Sequence, residues 1–336
     1  MIKQILAIET SCDETAAAVV ADGRTIVSNV VASQIDIHRR YGGVVPEVAS
    51  RQHVLSIEQV VRTVLAELPN GWADIDAVAA TYGPGLSGAL LTGLNAAKTI
   101  AWARGFPFIG VNHVEAHIYG AWLTDREPPT FPCVALIVSG GHTLLVYLRD
   151  HGQAERLGGT LDDAAGEAFD KVARLLELGF PGGPVIQQMA IAPHDAHERL
   201  PRAWLHGTFD FSFSGLKTAV LHEMQKARSH YGKDASALAQ RQRELAYLFQ
   251  ESVVDILTRK TRDAVKQTGA SSVVLAGGVA ANLRLREVLH RRAGVPVHVP
   301  PIHLCTDNAA MIAACAYWRP KLSDLATTVD ANLAFV

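Results

Sequence analysis

One order of elements occurs twice along the chain, and that duplication limits the fold more than any single motif does. Apolar runs at 5–8, 16–20 and 25–31 are separated by the polar turn Glu9-Thr10-Ser11-Cys12-Asp13-Glu14-Thr15 and by Asp22-Gly23, so the spacing predicts three strands in an antiparallel meander. Between 46 and 68 the apolar positions Val48, Val54, Leu55, Ile57, Val60, Val61, Val64 and Leu65 recur at helical spacing behind Pro46, a residue suited to a first helical turn. A strand at 75–80, a helix rich in Gly and Ala at 86–103, a strand at 106–111 and a short helix from 113 complete the first half. The second half gives strands at 134–138, 143–148 and 154–159 and a helix at 162–178. It then gives a strand at 273–276, a helix after Gly277-Gly278-Val279, a strand at 295–299 and an apolar helix capped by Thr306-Asp307-Asn308. The expectation is an α/β protein of two similar lobes facing a cleft, divided as 1–130 and 131–336, with a helical insert at about 193–269 in the second lobe. Within the insert, the alternation Phe209-Asp210-Phe211-Ser212-Phe213-Ser214 predicts an edge strand with its phenylalanines packed inward.

Composition sets the class. At 336 residues the chain is about two domains long, enough to bury roughly three quarters of its unfolded surface. Hydrophobic residues make up 49% and charged ones 19%, and no stretch long enough to span a membrane lacks a charge or a Gly/Pro break, so no membrane partner is expected. The first apolar run meets Glu9 too early for a secretory signal, which implies a cytoplasmic address. Cys12, Cys133, Cys305 and Cys315 form no Cys-x-x-Cys pair and read as small core residues. A net charge of −2 argues against a broad nucleic-acid footprint but leaves room for a local basic strip, at Arg39-Arg40 with Arg51 or at Arg284, Arg286, Arg291 and Arg292.

Chemistry concentrates in four places. His113 and His117 lie one helical turn apart, so both rings can reach one metal ion, and Asn112 with Glu115 forms a capping-box pattern that starts this helix just after a strand. Asp307, which the duplication places opposite, completes a His-His-carboxylate set of the kind that binds zinc or iron with positions left open. Loops Glu9 to Thr15, Ser139 to Thr143 and Gly277 to Asn282 each follow a strand and are rich in glycine or hydroxyl groups, which lets main-chain amides approach a nucleotide. None has the spacing of a Walker loop or a dinucleotide fingerprint. In 162–171, helical spacing would put Asp163, Glu167 and Asp170 on one side.

These motifs, with Tyr41-Gly42-Gly43-Val44-Val45-Pro46-Glu47, Pro181-Gly182-Gly183-Pro184 and Phe211 to Lys217, resemble the bacterial tRNA N6-adenosine threonylcarbamoyltransferase family, formerly labelled O-sialoglycoprotein endopeptidases. The resemblance runs from about residue 5 to about residue 318 and implies an actin/sugar-kinase/Hsp70-like fold, with duplicated ribonuclease-H-like lobes. The activity it implies is transfer of threonylcarbamoyl from threonylcarbamoyl-AMP to the N6 amine of the adenosine beside the anticodon, in tRNAs reading codons that start with A. By the same resemblance His113, His117 and Asp307 would bind one divalent ion, iron or zinc. Ile137, Val138, Ser139, Gly140 and Gly141 would lie along the acyl-phosphate of the adenine nucleotide, and Asp170, Gly183 and Asn282 would hold its nucleoside. Asp13 or Glu14 would take the amine proton. The implied partners are tRNA, a smaller paralogue of the same fold bound as a heterodimer through the helices at 46–68 and 86–103, and a P-loop ATPase. Two positions depart from other branches of the family: Ile137 stands where a tyrosine ligates the metal, and Gln187 where an acidic residue contacts ribose.

Three other readings compete. A zinc protease needs its glutamate directly after the first histidine, where this chain has Val114, so protease is disfavoured. A sugar or small-molecule kinase on the same fold would use the first loop and the Ser139 loop for ATP phosphates without the His-His-Asp set. A nucleotide-binding scaffold would not depend on His113.

Overall fold

The computed structural model describes residues 2–124, 126–195, 197–232 and 234–335. The chain divides into two compact units, Met1–Pro129 with Pro300–Val336, and Thr130–Val299. In the first unit the order is β1 (Gln4–Glu9), β2 (Glu14–Ala21), β3 (Thr25–Ser33), α1 (Ile35–Arg39), α2 (Pro46–Ala66), β4 (Ala77–Gly83), α3 (Ser87–Arg104), β5 (Phe108–Asn112) and α4 (His113–Tyr119). The second unit holds β6 (Cys133–Val138), β7 (Thr143–Asp150), β8 (Gln153–Gly159), α5 (Ala165–Leu175), α6 (Gly182–Met189), α7 (Ser214–Tyr231), α8 (Ala235–Thr268), β9 (Ser272–Ala276), α9 (Leu283–Arg292) and β10 (Val297–His298). The last helix, α10 (Ala309–Trp318), returns to the first unit.

Each unit is built on one five-stranded sheet, ordered β3-β2-β1-β4-β5 in the first and β8-β7-β6-β9-β10 in the second. The two orders are the same once the second is read in its own sequence. In both, the three meander strands pair antiparallel and the last two add in parallel. The central strand β1, covered by α3 on one face and α10 on the other, is apolar along almost its whole length, and every residue of β6 is buried.

The two faces of the first sheet differ in residue size. Leu6, Ile8, Ala17, Val19, Val78 and Ala80 pack with Val60, Val61, Val64 and Leu94 from α2 and α3. Pleating turns Ile5, Ala7, Ala16, Ala18, Ala77 and Ala79 to the opposite face. That alanine-rich surface suits α10, whose residues Ala309 to Ala316 are all buried and which packs across β1 and β2. This is why the segment from Pro300 joins the first unit, although a division at 130/131 assigns it to the second lobe. The Gly- and Ala-rich helix packs closely on the first loop: a side chain at Gly93 of α3 would overlap the Thr10 hydroxyl, and the Gly93 amide donates to that oxygen at 3.1 Å.

Three local expectations change. Phe211 makes a single bridge to Thr160 rather than an edge strand, and α7 starts at Ser214. Phe211 and Phe213 are wholly buried, while Asp162 accepts hydrogen bonds from the Ser212 and Ser214 hydroxyls and the Phe213 amide, at 2.5, 2.6 and 2.8 Å. Asp162 thereby satisfies the start of α7 from outside it, and the helix expected from 162 begins only at Ala165. The supposed insert is also partly core. Leu245, Phe249, Val253, Ile256 and Leu257 of α8 are buried, and this helix packs on β6 just before β9, as α2 precedes β4 in the first unit.

Gly277 sits at φ 88° and ψ 167°, a region open essentially to glycine, and any side chain there would overlap the Val138 carbonyl. Gly277→Ala is expected to cost at least about 1–3 kcal/mol from the backbone conformation alone. Gly278→Ala, with nothing within 4 Å of the added methyl, should stay within about 0.5 kcal/mol of the natural chain in urea unfolding.

Candidate metal centre and nucleotide loops

The centre in the first unit starts from β5, which delivers the chain to α4. Asn112 caps this helix, its side chain accepting from the Val114 and Glu115 amides at 2.9 and 3.2 Å. Glu115 does not close the expected capping box; it pairs with Arg319 and so ties α4 to the end of α10. With the first turn of α4 held by Asn112 and Glu115, His113 and His117 project one turn apart, their ring centroids 4.7 Å from each other. Asp307 Oδ1 lies 3.6 Å from His113 Nε2 and 3.4 Å from His117 Nε2. One ligating atom from each of the three falls within 4.8 Å of the others. Asn308, not Asp307, caps α10, its side chain accepting from the Met311 amide at 3.1 Å, which leaves the Asp307 carboxylate to the site.

Beneath this set lies a residue that sequence reasoning missed as a functional one. Glu9 ends the apolar strand β1 and is wholly buried. Its carboxylate accepts from the Ser11 amide, from Thr81 Oγ1 at 2.5 Å, and faces His113 Nδ1 at 3.1 Å. Ser11 Oγ is also 3.1 Å from that nitrogen. The signal was a carboxylate closing a run of apolar strand residues, where only a partnered charge can be kept. Burial opposes a charge on His113, but the Glu9 and Asp307 carboxylates outweigh it and raise the imidazole to about 9. Burial likewise opposes ionisation of Glu9, yet His113 brings it below the usual carboxylate range. Holding Nδ1 by a carboxylate directs Nε2 to the open side, the arrangement that orients metal-ligating histidines.

His117 provides the test of fit. Both of its ring nitrogens are buried and neither makes a hydrogen bond. Two unsatisfied buried imidazole nitrogens cost about 1–3 kcal/mol each unless something binds there. A cation between two imidazoles and a carboxylate supplies the missing partner on the Nε2 side. The donor set fits zinc or ferrous iron, which take nitrogen and oxygen ligands of this kind.

In the first loop, Glu14 opens β2 and accepts from Ser33 Oγ at 3.0 Å. Burial first, then the Asp13 and Asp307 carboxylates, push its carboxyl up to about 9, so as the site stands Glu14 carries a proton at neutral pH.

The expected nucleotide residues lie in the second unit. Ile137 and Val138 are wholly buried in β6, paired with Leu144 and Thr143, so any contact they make with a ligand is through the main chain. Ser139, Gly140 and Gly141 form the tight turn after β6, closed by the Ser139 amide on His142 O at 2.8 Å and by the His142 amide on Ser139 Oγ at 3.1 Å. Gly140 and Gly141 are exposed with open space over their Cα atoms. The start of α5 abuts this turn through Gly166, whose amide reaches Ser139 O at 3.1 Å. Asp170 accepts from the Gly182 amide at 2.7 Å, which leaves Gly183 unobstructed at the start of α6. Asn282 caps α9 through Leu285 N at 2.9 Å and donates to Gln250 Oε1 at 2.8 Å, so its amide is spent on structure. Asp163, expected beside Glu167 and Asp170, precedes α5; Lys171 bridges it to Glu167 at 2.6 and 2.8 Å.

Duplicated sheets of this order define an actin/sugar-kinase/Hsp70-like protein. Solved structures of that class agree: HypF from T. kodakarensis superposes with a TM-score of 0.61 at 13% identity over 94% of this chain and 48% of that one. The dehydratase component A from Acidaminococcus fermentans gives 0.52 at 15% identity over 95% and 98%. Within that class the chain belongs to the tRNA N6-adenosine threonylcarbamoyltransferase family, whose family model matches residues 25–314. The relative so named in Thermomicrobium roseum is 53% identical over 99% of this chain and 97% of its own length, and that in Bacillus subtilis 51% identical over 92% and 88%. The chain is thus a transferase of tRNA modification by family.

Glu9→Gln removes the charge behind His113 while keeping its shape. It is expected to weaken zinc binding by about 10–100-fold in a chelator competition, with the fold retained by circular dichroism. Unchanged affinity would detach Glu9 from the centre.

Proposed function

We propose that the chain transfers threonylcarbamoyl from threonylcarbamoyl-AMP to the N6 amine of the adenosine beside the anticodon, in tRNAs that read codons starting with A, and that it does so with a divalent metal bound. The observation that carries the metal dependence is the unsatisfied His117 facing Asp307 and His113. In the reaction the amine nitrogen bonds to the carbamoyl carbon, the bond from that carbon to the phosphate oxygen breaks, and AMP leaves with the electron pair. Bound to His113, His117 and Asp307, the metal would supply charge stabilisation to an oxygen of the substrate, worth several kcal/mol. Ser11 and Glu9 keep His113 in the tautomer that exposes Nε2. Asp13 accepts the proton that the amine loses. In the second unit the exposed amides of Gly140 and Gly141 suit the acyl-phosphate, and Asp170, Gly183 and Asn282 shape the nucleoside side, Asp170 and Asn282 by fixing the starts of α6 and α9.

Partnership with a smaller paralogue rests on the outer face of α2 and α3. Ile57, Val61, Leu65, Trp72, Ala96 and Ile100 line an open apolar groove there, and Val54, Leu55 and Trp102 stand 64%, 74% and 74% exposed nearby. So much apolar surface on paired helices suits a like helix pair from a protein of the same topology. Among the described residues no helix is long and apolar enough to cross a membrane.

Transfer of labelled threonine into tRNA, with the adenylate-forming enzyme, the paralogue and the ATPase supplied, tests the reaction. Chain-dependent label that falls at least tenfold in His113→Ala and His117→Ala supports both transfer and metal dependence. Asp13→Ala should keep adenylate binding and lose transfer. Label without any dependence on the histidines would sink the metal's role, and none at all, with the partners proven competent, would favour the kinase reading.

Leu55→Glu changes an exposed side chain, so its thermal midpoint should match that of the natural chain. In gel filtration with the paralogue it should elute as monomer; a normal heterodimer peak would place the interface elsewhere.

A further inference from the structure

One cavity of the second unit has a lining that the transfer chemistry does not use. About 340 Å³ in volume, it lies between α8, α9 and the segment before α7, and six arginines line it: Arg199, Arg202, Arg259, Arg284, Arg291 and Arg292. The carboxylates among its walls are Glu251 and Asp255. On α8, Tyr247, Glu251, Asp255 and Arg259 follow one another at four-residue steps and so share a face; on α9, Arg284, Val288, Arg291 and Arg292 do the same.

Those carboxylates hold the arginines in place but are outnumbered by them: Arg284 is neutralised by Glu251 and also meets Glu287 at 2.9 Å, whereas the others share less negative charge than they carry. Asp255 receives Arg292 at 2.7 Å, Arg259 at 2.8 Å and Arg202 at 3.1 Å, so three guanidinium groups share one negative charge. Glu251 grips Arg284 in a two-point pair at 2.6 and 2.8 Å. A guanidinium has five donors, and Arg202, Arg259 and Arg284 each give their Nε to a carboxylate, an edge-on grip that fixes the plane of the group. Arg291, 60% exposed, meets Glu287 only at 3.5 Å. An excess of oriented guanidinium groups around a cavity is the recognition chemistry of phosphate.

The positive track continues beyond this cavity. Arg259 also lines a second cavity of about 350 Å³, with Trp204, His206, Lys260 and Arg262, and its guanidinium lies over the Trp204 ring at 5.2 Å. Lys260 is committed to the loop, donating to Thr208 O at 2.7 Å, and Arg262 pairs with Asp263 of the same lining at 2.7 Å, so Arg259 is the cation that links the two cavities. An arginine-lined cavity adjoining a second one, with aromatic rings at Tyr247 and Trp204, fits a ligand with repeating phosphates and stackable bases better than a single small anion.

We infer that this arginine-lined track is a docking site for the phosphate backbone of the RNA substrate, an assignment that rests on the tRNA reading above. Arg199 and Arg291 bind backbone phosphates, while Asp255 and Glu251 position the remaining arginines.

The test is fluorescence anisotropy of a labelled, unmodified tRNA transcript with the full chain and its partner proteins, repeated across potassium chloride concentrations. Arg199→Gln with Arg291→Gln should weaken binding and reduce the slope of log affinity against log salt by about 0.7–0.9 for each phosphate no longer neutralised. Arg291→Glu alone, at an exposed position, should lower affinity further than Arg291→Gln, and unchanged thermal midpoints without RNA show that the variants fold. A full slope in folded variants, while the natural chain binds and modifies tRNA, overturns the site and leaves the transfer reaction standing. A natural chain that binds no tRNA overturns both. Inorganic pyrophosphate, probed by thermal shift, separates the remaining possibility: stabilisation by pyrophosphate that the double variant loses, with its tRNA slope intact, would assign the cavity to a small phosphorylated ligand instead.

Discussion

A single buried ion pair, Glu9 with His113, sets the geometry on which the centre depends. A carboxylate at the end of a central strand is costly to bury unless opposite charge and donors meet it, and here the Ser11 amide, Thr81 and the imidazole all do. Each of those partners comes from a different element. Satisfying Glu9 therefore locks the first loop, β4 and α4 against the end of β1. The centre inherits its precision from the sheet.

Small residues make this convergence possible. The alanine-rich face of β1, β2 and β4 lets α10 lie close to the sheet, and α10 is preceded by Asp307. Gly93 lets α3 press against Thr10. Larger side chains at these positions would move α10 or the first loop outward, and ligands separated by a few ångströms do not tolerate such shifts. The stability of the first unit and the geometry of its centre are thus the same packing problem.

The strands and helices that carry the centre were legible in the sequence because their signals are local. Helical spacing gave α2 and α3, the meander was marked by its turns, and Asn112 announced α4. The pairing of Asp307 with the two histidines followed from the duplication. What local pattern could not give were relations decided by distant partners. Alternation at Phe211 and Phe213 reads as strand, but Asp162, far back in the chain, makes the stretch a helix start. Ile137 and Val138 were placed along the acyl-phosphate by the resemblance alone; in the sheet both pair with β7, and Ile137 also with β9. Glu9 was visible as a residue but its role was not, since the role exists only once β1 and α4 meet. The arginines of 284–292 were visible as a basic strip; the cavity that gathers them with Arg199, Arg202 and Arg259 exists only in three dimensions.

Charge in the first unit argues further about the centre. Two carboxylates, Glu9 and Asp307, act on His113, and negative charge this close in a low-dielectric site favours the protonated imidazole. Against the cost of burial, Glu9 and Asp307 raise His113 to about 9, while burial first and then Asp13 and Asp307 raise Glu14 to about 9. His117 makes a separate demand: both of its buried ring nitrogens lack a hydrogen-bond partner, and a cation held with His113 and Asp307 would meet the one at Nε2.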